Sequence, residues 1–331
     1  MPPHARSAAS VARALAGSPW ALACWLGVAG GARRNDGRAR ILMLHGTPRS
    51  RADALERMLR YLRRHFHVVP LAEVVAALDA GPSVEPRFRR HLALTFDDGL
   101  ANNVEVAWPL LRALNLPATF FICPGLAERE QWLWNHEARE RLRSLPAGAR
   151  AELALELGAP QDVEGLVDWL KAQALPARRR AEARIREATP RFAPSAAQRH
   201  AFDVAGWEAL ETLDPGLVTL GAHTLTHPIL TSLAPEEAER EIVGSRRALE
   251  ARLGRPARFF AYPNGNVDSA IHACVRRHFD AALSVAEGFV EPGCDPCLLP
   301  RLSAPWSVLR LARALHRAPA PGAPAALPMT A

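Results

Sequence analysis

A complete cysteine set is missing from this 331-residue chain. Its five cysteines, Cys24, Cys123, Cys274, Cys294 and Cys297, leave one over from any pairing, so they make no disulfide framework. Cys294 and Cys297 have C-x-x-C spacing, but no second such pair accompanies them, which argues against a zinc knuckle and for a structural role. No repeat of fixed length runs through the chain, which excludes solenoids and propellers. No basic run is interleaved with aromatics, so the net charge of +7, mostly arginine, does not favour nucleic acid. Disorder is excluded as well, because 49% hydrophobic residues are enough for a sizeable core.

A comfortable membrane span is also lacking. The apolar stretch Pro19 to Ala29 falls short of the about 20 residues that a span needs. Arg6 and Arg13 precede it, and Arg33, Arg34, Arg38 and Arg40 follow. Two readings stay open for it: the core of a signal peptide with a cleavage site near Val28 to Ala32, or a retained helix on the domain or at a membrane surface. The basic cluster suits the cytoplasmic face of a membrane, so a cytoplasmic, membrane-associated protein is favoured over an exported form.

What is present is a rhythm of apolar runs and helical periodicity from residue 41 onward. Ile41 to Leu44 reads as a strand ending at His45 and Gly46. Residues 51 to 64 have helical spacing, Phe66 to Leu71 reads as a strand and Ala72 to Leu78 as a helix. His91 to Phe96 is a buried strand that stops at Asp97-Asp98-Gly99. Val104 to Leu114 reads as a helix disturbed by Pro109, and Ala118 to Cys123 as a strand. Alternation of this kind implies parallel strands and right-handed crossovers.

Between about 126 and 200 the strands lapse into Ala-, Leu-, Arg- and Glu-rich helices, a helical insertion. Trp132, Trp134 and His136 open it, either bordering a sugar site or packing the insertion, with packing favoured. The strands then resume at Leu217 to Leu220, Phe259 to Tyr262, Ala281 to Val285 and Leu298 to Leu302. The chain divides into an N-terminal segment, 1–40, an α/β domain, 41–303, and a C-terminal helix with an Ala/Pro-rich tail, 304–331.

Adjacent carboxylates repel, so a site that holds both Asp97 and Asp98 gives them different jobs. Far downstream, His223 and His227 stand four residues apart, a spacing that on one helical turn puts both imidazoles on one face. Two imidazoles and one carboxylate leave an open position for water, the pattern of a catalytic metal. Zinc suits this set best, with cobalt, nickel and iron also compatible.

The order Thr95-Phe96-Asp97-Asp98-Gly99, His223-Thr224-Leu225-Thr226-His227 and Phe260-Ala261-Tyr262-Pro263-Asn264-Gly265 resembles the polysaccharide deacetylases, the NodB-homology group of carbohydrate esterase family 4. The resemblance covers about residues 40 to 303 and implies a distorted (β/α) barrel. It implies a hydrolase that removes N-acetyl groups from an aminosugar in a polysaccharide, glycolipid or lipid-linked sugar. It further implies Asp97 as general base, and Asp98, His223 and His227 as the ligands of a divalent metal, zinc above all. Asn264, through a nearby backbone N–H, and Tyr262 are assigned to the oxyanion and substrate. Two departures matter. Ala261-Tyr262-Pro263-Asn264 stands where many members have an arginine that braces the base, and Arg301 is the candidate replacement; the alternative is an arginine on a solvated loop. The usual C-terminal acid histidine is absent, and His45 on the first strand is assigned as general acid; the alternative is a buried structural histidine. Rival readings are a deformylase or other deacylase on a lipid-linked aminosugar, and a non-catalytic carbohydrate-binding relative.

Overall fold

The computed structural model describes residues 38–78 and 91–316. The apolar stretch near the N-terminus, the loop up to Arg89 and the Ala/Pro-rich tail lie outside the described residues, and so do the readings that rest on them. Among the described residues no helix is long and apolar enough to cross a membrane.

Eight strands form one sheet: β1 (Arg40–Leu44), β2 (His67–Val68), β3 (His91–Phe96), β4 (Ala118–Ile122), β5 (Val218–Ala222), β6 (Phe259–Ala261), β7 (Ala281–Glu287) and β8 (Leu299–Ser303). Every pairing within the sheet is parallel, and β1 pairs with both β3 and β8, which closes the sheet into a barrel. Among the described residues, strand β2 stands outside the ring and pairs only with the first residues of β3. Parallel neighbours need crossovers, and helices such as Ala52–His65, Pro235–Leu253 and Ser269–His278 supply them around the outside. The architecture is the distorted (β/α) barrel expected from the sequence.

Side chains alternate between the two faces of each strand. One set, Ile41, Ala93, Phe121, Phe259, Ala261, Leu283 and Leu299, packs together inside the ring. The other, including Leu42, Leu94, Phe96, Phe120, Ile122, Phe260 and Leu302, packs against the helices. Both faces are buried, so residues 41–44 of β1 and 120–122 of β4 read as unbroken apolar runs. Continuing the inner register toward the strand ends gives Ala93, Thr95 and Asp97 on β3, Gly221 and His223 on β5, and Leu299 and Arg301 on β8. Polar groups thus replace apolar ones at one mouth of the barrel. Gly221 belongs to this inner row because a Cβ there would lie 2.5 Å from the Phe121 ring, which fills the interior.

Local details depart from the sequence reading. The strand at Phe66 to Leu71 shrinks to His67–Val68, because Pro70 starts a helix at Leu71. The helix near Val104 opens with a wider turn, Asn103–Ala107, which runs directly into the helix Trp108–Leu114 that carries Pro109. Arg40 is not part of a free basic surface: it is 4% exposed, and its Nε donates to the Leu315 carbonyl at 3.0 Å. The helices between β4 and β5 have an apolar core of their own, with Leu142, Leu153, Leu166, Leu170 and Ile185 at its centre. Ile229, just past His227, joins that core and ties the insertion to the barrel mouth.

Candidate metal centre

Asp97 extends β3 by one residue, its N–H donating to the Leu44 carbonyl at 2.9 Å. Its two carboxylate oxygens accept from Arg301 Nη1 at 2.8 Å and Nη2 at 2.7 Å. Arg301 is 1% exposed on β8, and its Nε donates to the Ser284 carbonyl at 2.8 Å. It is therefore no solvated loop arginine. Burial pushes the Asp97 carboxyl up, but the charge and hydrogen bonds of Arg301 outweigh it and hold Asp97 below the ordinary carboxylate range.

Asp98 turns the other way. It has φ 73° and Gly99 has φ 63°, so two successive left-handed residues swing the second carboxylate away from the first. Aspartate tolerates this region better than most residues. At Gly99 an added Cβ would also press on Ile122 at 3.1 Å. Asp98 Oδ1 faces His223 Nε2 at 3.6 Å and His227 Nε2 at 3.4 Å. Burial raises the Asp98 carboxyl, and the two nearby imidazoles pull it well below its ordinary value. Neighbouring carboxylates thus avoid repulsion by taking different cationic or imidazole partners.

The two histidines do not meet on a helical turn, as their spacing suggested. Residues 223 to 227 form an irregular loop after β5, with Thr224 at φ 64° and His227 at φ 60°. Side chains from elsewhere hold that loop. Glu241 accepts from the Thr226 N–H at 2.9 Å and its hydroxyl at 2.7 Å. Trp134 Nε1 donates to the His227 carbonyl at 2.9 Å, and Cys123 Sγ lies 3.0 Å from the His223 carbonyl. Gly125 donates to the Leu225 carbonyl, and a Cβ at Gly125 would lie 2.8 Å from that oxygen. Truncating Glu241 to alanine is expected to loosen this loop and weaken binding of a divalent ion at His223 and His227 by about 10–100-fold, which calorimetric titration of the protein with zinc checks.

The donor set fits a divalent metal. Three ligand atoms, one each from Asp98, His223 and His227, lie within 4.8 Å of one another. Ligands at zinc distances and tetrahedral angles sit about 3.3 Å apart, close to the two separations from Asp98 Oδ1. His223 Nδ1 lies 2.7 Å from the Ala261 carbonyl, which makes Nδ1 the donor and leaves Nε2 free as a ligand. A second cluster, Glu239, Cys274 and His278, has its donor atoms equally near one another, but Arg277 Nη2 stands 3.9 Å from Glu239 there.

The other predicted residues divide. His45 is exposed at the end of β1, and its charge acts on both Asp97 and Asp98, so it lies at the mouth and is no buried structural histidine. Asn264 is exposed at the end of β6 in a left-handed conformation, φ 56°. Tyr262 is a correction. Its side chain is fully buried, its hydroxyl donates to the Cys297 carbonyl at 2.9 Å and its N–H to Leu283, so no polar group of its side chain is left for a substrate. His136 is nearer the centre than expected: Asp98 and His227 act on it electrostatically, and burial pushes its pKa down to about 4. It is neutral at neutral pH. Trp132 packs against Phe192 and Phe202, while Trp134 braces the histidine loop.

The sequence profile of a family described as polysaccharide deacetylase matches residues 85–177 and 180–278, more than half of the chain. No curated protein matches the sequence. Several solved structures share the fold. The Streptococcus pyogenes deacetylase PplD, solved in complex with acetate, superposes with a TM-score of 0.56 at 17% identity, covering 84% of this chain and 98% of that one. IcaB from Ammonifex degensii gives 0.56 at 19% identity, covering 84% and 97%. The BpsB deacetylase domain from Bordetella bronchiseptica gives 0.51 at 16% identity, covering 81% and 96%.

Proposed function

This chain belongs to the polysaccharide deacetylase family, hydrolases of carbon–nitrogen bonds other than peptide bonds, and from that membership we propose that it removes the N-acetyl group of an aminosugar with a divalent metal, zinc above all, at Asp98, His223 and His227. The observation that carries the reading is the meeting of those three donors beside an ionised Asp97 clamped by buried Arg301.

When bound, the metal supplies Lewis acidity, which polarises the amide carbonyl and acidifies water. The residues do the rest. Asp97 accepts the proton of the attacking water, and Arg301 keeps it ionised and fixed in direction. The backbone N–H of Asn264 itself receives the developing oxyanion, since Pro263 has none and those of Tyr262 and Gly265 already donate to the Leu283 and Tyr262 carbonyls. An amide anion is a very poor leaving group, so the departing amine needs a proton, and His45 at the mouth provides it.

Chelation is expected to cut acetate release from chitooligomers or other N-acetylated glycans by about 1,000-fold or more, with zinc restoring it. Full turnover in metal-free protein would refute the reading. Release of formate in place of acetate from a lipid-linked aminosugar would assign the protein as a deformylase with the same machinery. A non-catalytic binding role is opposed by the complete set of Asp97, Asp98, His223 and His227.

A further inference from the structure

The insertion builds a cavity of about 630 Å³ next to the histidine loop, between the helices Trp134–Ser144 and Leu175–Ala188. Thr226, the neighbour of His227, lines it as well. Six arginines face it: Arg129, Arg141, Arg178, Arg179, Arg186 and Arg199. Four acids face it too, and most are already engaged. Glu137 pairs with Arg141 and Arg186, each at 2.8 Å. Asp203 accepts from Trp132 Nε1 at 2.5 Å. Glu130 is exposed. Among the described residues Arg129, Arg179 and Arg199 form no ion pair.

Arg178 is the unusual member. It is 5% exposed, with its guanidinium 4.3 Å from the centre of the Trp134 ring. Its Nε lies 3.0 Å from Glu182 Oε1, but the angle makes no hydrogen bond, and neither Nε nor Nη1 has an acceptor. A buried guanidinium without acceptors is costly. Glu182 also faces Arg186 at 3.8 Å, so one carboxylate serves two guanidinium groups. An anion entering the cavity would satisfy the orphaned nitrogens of Arg178. Trp134, on which Arg178 stacks, is the same ring that holds the His227 carbonyl, so the cavity adjoins the metal centre.

We propose that this cavity is an oxyanion subsite, in which Arg178 and the arginines around it hold a phosphate or carboxylate group carried by the glycan. The substrate class is then an acidic aminosugar glycan, and that part of the inference rests on the deacetylase reading. The subsite itself does not.

The test is calorimetry on the full chain after chelation, so that the anion has no metal to bind, with inorganic phosphate and glucuronate as separate probes. Binding of at least one probe is expected, weakened about tenfold or more in both Arg178→Gln and Arg199→Glu. Arg199 is exposed, so its variant keeps the fold even where Arg178→Gln unfolds. Preference for phosphate points to a phosphate-linked sugar, and preference for glucuronate to a uronic acid. No binding of either probe, or binding unchanged in Arg199→Glu and in folded Arg178→Gln, would overturn the subsite. Acetate release is read separately: anion binding without turnover of any N-acetylated glycan would sink the deacetylase reading and leave the subsite standing.

Discussion

Asp98→Asn is expected to empty the metal centre and cut acetate release by about 1,000-fold or more, whereas Asp97→Asn keeps the metal and loses about 10²–10⁴ in kcat. The two residues are adjacent, yet their partners are separate. Asp98 faces His223 and His227, and Asp97 faces Arg301. Asparagine at 98 keeps the volume but removes the charge that offsets a divalent ion, leaving two imidazoles that bind zinc weakly. Asparagine at 97 keeps the Asp98 set whole and removes the proton acceptor. That substitution also leaves Arg301 buried without its counter-charge, so the comparison belongs at a temperature where both variants remain folded. Metal content per chain, measured beside kcat, separates the two. Equal metal loss in both, or full activity in either, would contradict the division of labour.

That the two carboxylates take separate partners was legible at the end of β3, because an apolar run stopped at two carboxylates and a glycine, residues that accept left-handed geometry. The barrel was legible for a similar reason: strands buried on both faces are continuous apolar runs, as in residues 41–44 and 120–122. His223 and His227 were identified by their spacing, by the Asp97-Asp98 pair and by the motif resemblance, while the helical turn suggested by the spacing is not what forms. Their loop is shaped by Thr224 and His227 in left-handed conformations and by Glu241 reaching back to Thr226. No local pattern announces a contact between residues fifteen positions apart on different elements. His136 was hidden for the same reason, since only the packing of the insertion brings it near Asp98. Tyr262 misled because a motif position does not reveal which way a hydroxyl points. Arg301 was found from a gap in the motif, and the inner register of Leu299 and Arg301 would have pointed to it independently.

Arg301→Met is expected to lower stability by about 3–5 kcal/mol at neutral pH and to cost activity as well. Arg301 is 1% exposed and Asp97 2%, so water cannot replace the lost partner. Methionine restores most of the volume, which confines the effect to charge and hydrogen bonding. The pH dependence follows from the direction of the Asp97 shift. In the intact protein its carboxyl lies below the unfolded value of about 3.9, so Asp97 contributes stability above that pH and loses it as the pH falls through the folded value. Without Arg301, burial dominates and the carboxyl rises above the unfolded value. Ionised Asp97 then opposes folding at neutral pH, and the penalty fades once acid protonates it. Urea unfolding of both proteins at pH 4 and pH 7 reads this directly, with the larger difference expected at pH 7. An equal difference at both pH values would mean that Arg301 supports the fold by packing and not by holding the charge of Asp97.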